Sequence, residues 1–428
     1  MLSDVFRRKG EPIIQSLMDT DFYKFTMGQL ICSKHPDVRV RFGFTNRMAD
    51  LVQLGRIIPE GRLREELDHV RTLRFTRSEL HYLRGTNEYQ ERMFREPYLE
   101  HLGALQMPEY DLEYLPDGNI RLEFDGKWSE DSYWEIPALE ILNELRSEAL
   151  LASMTHFERD ARYAEGVRRL MEKVRSLRDY LGLTFIEFGS RRRWSRVWQR
   201  YVLNVLMNEL PDQLIGTSNA VLAMEFGLLP SGTSAHELPM VYAALAAEAT
   251  DFDDEAVRQS QQQMLDDWWE LYGWGLSIAL PDTYGSDAFF RAGGTFGEER
   301  LRTWKGSRPD SGDVIEYGEK RITEYRAIGV DPRAKMFLPS DGLEVPKMIA
   351  LWQRFGLRIK TSFGWGTNAS NDLGIKAISM VIKAIMANGR HTVKLSDNLA
   401  KAMGPPEEIH RYRRAFGYDS DFREECTY

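Results

Sequence analysis

Cysteine is nearly missing: the 428 residues hold two, Cys32 and Cys426. Two thiols at opposite ends of a long chain build neither a disulfide framework nor a zinc cluster. Long apolar runs are missing too, since none approaches the ~18 residues of a membrane span. The opening MLSDVFRRKGEPIIQ has no continuous apolar stretch and no small-residue cleavage site, so no secretory leader is expected. These absences predict a cytoplasmic protein with no membrane partner. There is no basic excess either. With 56 Lys and Arg against 65 Asp and Glu the formal charge is −9, which argues against a nucleic-acid partner but leaves room for a local basic pocket. Repeats and low-complexity segments are absent. What remains is a globular composition, 43% hydrophobic and 28% charged, long enough for two or three domains.

The stretch LIGTSNAVLAMEFGLLPSGTSAHELPM, residues 214–240, organises the rest. Two short apolar runs each end in Gly-Thr-Ser, at 216–218 and 232–234, and His236-Glu237 follow the second. Strands ending in small hydroxylated residues present N–H groups and hydroxyls where α/β proteins hold anions. Upstream, the chain is mixed. Asp19 or Thr20 is placed to cap a helix starting near Asp21. VRVRFGFTNR alternates like a strand, residues 60–100 are helical and charged, and 111–128 read as two strands about an Asp-Gly turn. From Trp134, a strand end runs into a long helix. Strand candidates then fall at 184–188, 213–215, just before Gly232, and at 276–280, 301–304, 335–338 and 357–361, with a weak one at 379–382. Helical patterns separate them, for example 195–208, 253–271, 314–328 and 344–355. Alternation at this spacing predicts an α/β fold, an irregular TIM-like barrel preceded by an α+β unit.

Polar residues and glycines follow every strand candidate, and in a barrel that end carries the site. The two late loops, Asp341-Gly342 and Gly364 to Asn368, suit a phosphate: glycine lets backbone approach closely, and Thr367 and Asn368 add donors. Asp282, Asp310, Asp313 and Asp341 ring the mouth, suited to ribose hydroxyls or Mg²⁺ and equally to helix capping. Arg191 and Arg308 can pair a phosphate or carboxylate bidentately. Arg192 and Arg193 read as a solvated basic face. A lone histidine is usually structural, but His236 sits in this mouth beside Glu237. A carboxylate on one ring nitrogen leaves the other nucleophilic, so His236 is the expected nucleophile, its orienting acid Glu237 or one from another loop.

Six motifs, in order, resemble the type II phosphoribosyltransferases of NAD synthesis: Met18 to Lys24, Glu187 to Arg192, Gly216 to Asn219, Gly232 to Glu237, Arg308 to Asp313 and Phe363 to Asn368. The resemblance covers most of the chain. It implies joining of nicotinate to 5-phosphoribosyl 1-diphosphate, giving nicotinate mononucleotide and diphosphate. It implies coupling to ATP hydrolysis through phosphorylated His236. Asp282 and Asp313 would then serve ribose and Mg²⁺, while Asp341, Gly342, Gly364, Gly366 and Thr367 would hold the 5-phosphate. Phe188 would stack on the pyridine, Arg191 would grip it, and Tyr23 would cover its other face, from this chain or a neighbour in a homodimer. Nicotinamide-using relatives carry Asp in the triplet that reads Gly216-Thr217-Ser218 here; uncharged Ser218 can donate to a carboxylate instead. On this basis the chain divides into an α+β unit at 1–133, the barrel at 134–389, and a segment at 390–428 returning to the first unit. The alternatives are use of nicotinamide on the same fold, a barrel glycoside hydrolase, or a non-catalytic nucleotide sensor.

Overall fold

The computed structural model describes residues 2–6, 10–88, 91–291 and 293–424; Cys426 lies outside them. The sequence from Val38 onward alternates as expected and forms strand β1 (Arg39–Asn46). Residues 111–128 give the hairpin β2 (Asp111–Tyr114) and β3 (Ile120–Lys127). Its turn places Gly118 at φ +88°, a left-handed geometry that favours glycine. The helix near the start runs over Tyr23–Lys34 without a side-chain cap. Asp19 and Asp21, adjacent to its start, are instead engaged by distant side chains. The strand end expected from Trp134 is not one: residues 128–134 turn helically and lead into the helix Glu135–Ala152. A short apolar run has no period to distinguish the two states. Residues 135–147 of that helix are buried on every side, because it passes between the antiparallel sheet and the barrel.

Seven parallel strands follow: β4 (Thr184–Glu187), β5 (Leu214–Thr217), β6 (Leu229–Pro230), β7 (Ile278–Ala279), β8 (Gly306–Ser307), β9 (Met336–Phe337) and β10 (Lys360–Trp365). Their order in the sheet is β6-β5-β4-β10-β9-β8-β7. This is the circular order of a barrel, opened at one seam: β6 and β7 are the sheet's two ends. The predicted irregular barrel is therefore a curled half-barrel. Its open seam falls where the chain inserts two successive helices, Glu237–Ala249 and Asp254–Tyr272.

Two strand expectations change. Residues 301–304 close the helix Gly297–Thr303, and the strand comes directly after it, at Gly306–Ser307. The weak candidate at 379–382 is strand β11 (Met380–Ala387), which leaves the barrel to pair antiparallel with β1. With β12 (Arg390–His391) the second sheet reads β12-β11-β1-β3-β2. The tail beyond β12 packs on the barrel. Leu395 and Ser396 donate backbone N–H groups to the Thr283 carbonyl at 2.8 and 3.2 Å. Tyr284 stacks on Phe416 at 4.1 Å, in a cluster with Leu395, Tyr412 and Ala415. The tail thus straps the seam. Among the described residues no helix is long and apolar enough to cross a membrane.

Asp131 is fully buried, and neither carboxyl oxygen has a hydrogen-bond partner. It lies where a Cβ on Gly126 would come within 2.5 Å of it. Burial, then Glu130 and Asp125, push its pKa to about 8. An unfolded Asp ionises near ~4, so between roughly pH 4 and 8 the fold holds a proton that the unfolded chain has released, and stability falls as pH rises. Urea unfolding at pH 6 and pH 9 should show a loss of about 2 kcal/mol in the native protein that is absent from Asp131→Asn; equal losses in both would refute the assignment.

Candidate active site

A cavity of about 710 Å³ opens at the C-terminal ends of the barrel strands, bounded on the other side by the antiparallel sheet and the tail. Ten Lys and Arg line it against five Asp and Glu. A chain with net charge −9 therefore concentrates positive potential in this cavity. That suits phosphates and is wrong for the neutral sugar of a glycosidase.

His236 lies where the loop after β6 becomes the helix Glu237–Ala249, on the edge of the seam. Its Nδ1 is 2.9 Å from Thr283 Oγ1, which follows β7 on the opposite edge. Its Nε2 is 3.4 Å from Asp310 Oδ2 and 3.8 Å from Asp282 Oδ2. The arrangement with matched charges has Nε2–H donating to Asp310 and Nδ1 accepting from the Thr283 hydroxyl. Burial, followed by the Lys394 ammonium, lowers the imidazole pKa to about 4 against the pull of Asp282 and Asp310. The ring is neutral at physiological pH, as a nucleophile requires. Asp310 is buried enough to favour its acid form, but His236, Arg308 and Lys394 hold it ionised.

Glu237 does not orient this ring. It turns into the interior, accepting from Trp128 Nε1 at 2.7 Å, Ser132 Oγ at 2.8 Å and Lys24 Nζ at 2.6 Å. Successive residues on a helix point about 100° apart, so the sequence neighbour of a site residue is poorly placed to share the site. Lys24 also meets Glu135 at 2.7 Å, and Glu135 takes Lys383 from β11 at 3.0 Å and the Tyr23 hydroxyl at 3.1 Å.

Asp282 is fully buried. Its Oδ2 accepts from Ser311 at 2.6 Å and its Oδ1 has no partner. Asp313 is exposed and caps the helix Val314–Ala327, its Oδ1 accepting from the N–H groups of Ile315 and Glu316 at 2.8 and 3.0 Å. It does not line the cavity, and the expected pairing of Asp282 with Asp313 is replaced by Asp282 with Asp310. Asp341 lines the cavity and pairs with Lys401 of the tail at 2.6 Å. Gly342 beside it has φ +53°.

Phe188, Tyr23, Arg191 and Ser218 all line the cavity, and Arg191 and Ser218 meet on Asp21. Gly364 belongs to β10 rather than to a loop. A Cβ there would lie 2.7 Å from the Phe188 ring, so its glycine makes room for that ring. Gly366, Thr367 and Asn368 line the cavity beyond it. Thr217 is buried behind the wall, its hydroxyl donating to Glu187 at 2.7 Å. Ser218 is in the wall, but its hydroxyl donates to Asp21 at 2.6 Å. Arg191 is 3.9 Å from the same carboxylate. Arg308 lines the cavity, donating to the Ser234 carbonyl at 2.8 Å. Arg192 lines it too, whereas Arg193, expected on a wet face, is completely buried on Asp19 at 2.8 Å and Glu140 at 3.1 Å.

Sequence reasoning gave no role to Asp21, Thr283, Lys383, Lys394 or Lys401. A lysine inside the apolar run VIKAIM was a signal for Lys383; the others had none before the tail was placed. Removing the Lys394 charge should raise the His236 pKa. In NMR of ring-labelled protein, His236 should stay neutral from pH 8 to 5, and Lys394→Met should begin to titrate in that range; an unchanged curve would contradict the electrostatic account.

A family model described as the nicotinate phosphoribosyltransferase (NAPRTase) family matches residues 183–420, and one described as its N-terminal domain matches residues 18–143. Solved structures are similar over nearly the whole chain. The nicotinate phosphoribosyltransferase from Vibrio cholerae is 31% identical with a TM-score of 0.83, covering 96% of each chain. The one from Porphyromonas gingivalis is 28% identical at 0.82, covering 95% of this chain and all of that one. A putative nicotinate phosphoribosyltransferase from Saccharomyces cerevisiae is 28% identical at 0.83, covering 96% and 100%.

Proposed function

The chain belongs to the nicotinate phosphoribosyltransferase family, and on that premise we propose how its cavity carries out the reaction. The enzyme joins nicotinate to the phosphoribosyl group of 5-phosphoribosyl 1-diphosphate, a step of NAD biosynthesis. The pyridine lies between Phe188 and Tyr23, with its carboxylate toward Arg191. The nitrogen lone pair attacks ribosyl C1 while the C1–O bond to diphosphate breaks and its electrons leave on that oxygen. No proton is lost from the ring, so the protein supplies position and charge rather than a strong base. The observation that carries this reading is the cavity itself, lined by Phe188, Tyr23 and Arg191, by a neutral buried histidine, and by nine further Lys and Arg side chains.

The basic residues Arg308, Lys394 and Lys401 would balance the diphosphate, and Asp341-Gly342 with Gly366 and Thr367 would receive the 5-phosphate. Mg²⁺ fits at Asp282, whose Oδ1 is buried without a partner. Among the described residues no group of three or more His, Cys, Asp or Glu forms a complete metal cage, so phosphate oxygens and water would fill the shell. When bound, the ion would neutralise charge on the departing diphosphate. Asp313 is not assigned a metal role.

ATP is assigned to the same mouth. Nδ1 of His236 would take the γ-phosphoryl group as the bond to ADP breaks and Thr283 gives way, with Asp310 holding the remaining Nε2 proton. Phosphorylated His236 would then stand between the cationic wall and Asp282. The division into an α+β unit and a barrel is also our reading, with the crossing placed at β11; of the segment 390–428, β12 joins the sheet of the α+β unit, while the rest packs on the barrel instead of returning to that unit. A homodimer is part of the same reading; within one chain Tyr23 already lines the cavity.

Product formation with nicotinate, 5-phosphoribosyl 1-diphosphate and Mg²⁺, with and without ATP, tests these roles. ATP should accelerate the native enzyme and not His236→Ala. Arg191→Ala should raise the nicotinate KM about 100-fold, as for loss of a charged hydrogen bond worth ~3 kcal/mol. Asp310→Asn should cost far more activity than Asp313→Asn. The reverse order at the two aspartates, or ATP stimulation surviving in His236→Ala, would overturn the assignment.

A further inference from the structure

The wall around the pyridine end contains a carboxylate that the reaction does not use. Asp21 lines the cavity with its side chain almost wholly buried. Its Oδ1 accepts the Ser218 hydroxyl hydrogen at 2.6 Å, and its Oδ2 faces Arg191 Nε at 3.9 Å. A serine hydroxyl has one hydrogen. While it is given to Asp21, Ser218 has none for a substrate carboxylate. Arg191 in turn is shared between Asp21 and whatever acid the substrate brings.

Two carboxylates against one guanidinium are an unfavourable set unless one is protonated. The surroundings of Asp21 press the same way. Glu135, Glu140 and Glu187 lie behind it, Tyr23 lies beside it, and the cations Arg193, Lys24 and Lys383 are committed to Asp19, Glu135, Glu140 and Glu237. Burial raises the Asp21 pKa, while Arg191 and the hydroxyls of Ser218 and Ser190 restrain it.

We propose that Asp21 is the residue that sets which form of the pyridine substrate is accepted. As a neutral acid it donates from Oδ2 to the nicotinate carboxylate, with Arg191 on the other side, so nicotinate enters together with one proton. As an anion it repels nicotinate and accepts from the N–H of a carboxamide. Discrimination between acid and amide then rests on the protonation of Asp21, and Ser218 acts by tuning it. This inference rests on the placement of the pyridine between Phe188 and Tyr23 proposed above.

The test is the pH dependence of kcat/KM for nicotinate and for nicotinamide between pH 6.5 and 9, at saturating 5-phosphoribosyl 1-diphosphate, Mg²⁺ and ATP. For the native enzyme, kcat/KM for nicotinate should fall toward tenfold per pH unit at the alkaline end, with kcat level. The ratio of nicotinamide to nicotinate efficiency should rise over the same range. Asp21→Asn should show no such fall for nicotinate. Ser218→Ala, which removes a donor to the anion, should move the falling limb to higher pH, and it tests the idea even if Asp21→Asn does not fold. A level native profile, or the same slope in Asp21→Asn, would overturn the proposal while leaving the proposed function intact. No product from nicotinate at any pH would instead overturn the proposed function.

Discussion

The Lys24 ammonium, fully buried between Glu135 and Glu237 at 2.7 and 2.6 Å, is the contact on which the site depends. It joins the first long helix, the helix that runs between the two layers, and the helix that begins beside His236. Burial alone would strip its charge, but the two carboxylates more than reverse that and raise its pKa. Glu135 extends the set to Lys383 on β11 and to Tyr23. An ion pair this dry need not stabilise the fold relative to an apolar packing, yet losing one partner leaves a buried charge uncompensated, at about 3–5 kcal/mol. The arrangement therefore fixes where the α+β unit sits against the barrel, and with it the distance between Tyr23 and the His236 loop.

The second constraint is the seam. A closed barrel would carry backbone hydrogen bonds all the way round. Here β6 and β7 end the sheet, and side chains span the gap: His236 from one edge reaches Thr283 on the other. The tail supports that link from outside, through the two backbone N–H groups held on the Thr283 carbonyl. Asp397 of the tail accepts from Ser286 N at 2.7 Å, and its own N–H donates to Ser311 Oγ at 3.0 Å; Ser311 in turn donates to Asp282. Residues as far along the chain as Asp397 are thus tied to one histidine. Hydrogen bonding by side chains, unlike a ladder, leaves room for a loop to change partners when a phosphorylated ligand arrives.

Electrostatics complete the picture. The chain as a whole is acidic, yet its cavity is lined with twice as many cations as anions. Of the five acids in its lining, Asp310 faces Arg308 and Lys394, Asp341 meets Lys401, Asp372 meets Arg169, and Asp21 lies 3.9 Å from Arg191. Such pairs hold part of the cationic lining in place, and its excess over the acids is left for an anionic substrate.

The polar ends of the strands and the Gly-Thr-Ser triplets were legible in the sequence, and so were an irregular α/β barrel and the place of His236 in its mouth. Local composition carries these, because small and hydroxylated residues at strand ends leave backbone N–H groups and hydroxyls free to meet an anion. The partners of that histidine were not legible. Glu237 is next in sequence but turns away with the helix, and Asp313 is claimed by two backbone N–H groups as a cap, while Asp310, three residues earlier, faces the ring. The lysines of the tail and the strand 380–387 could not be placed, because which sheet a strand joins is decided by long-range pairing and not by its own residues. The sequence by itself determined the kind of chemistry at the strand ends. Tertiary structure alone decided which acids and cations meet it, since burial and charge pairing between distant segments have no local signature.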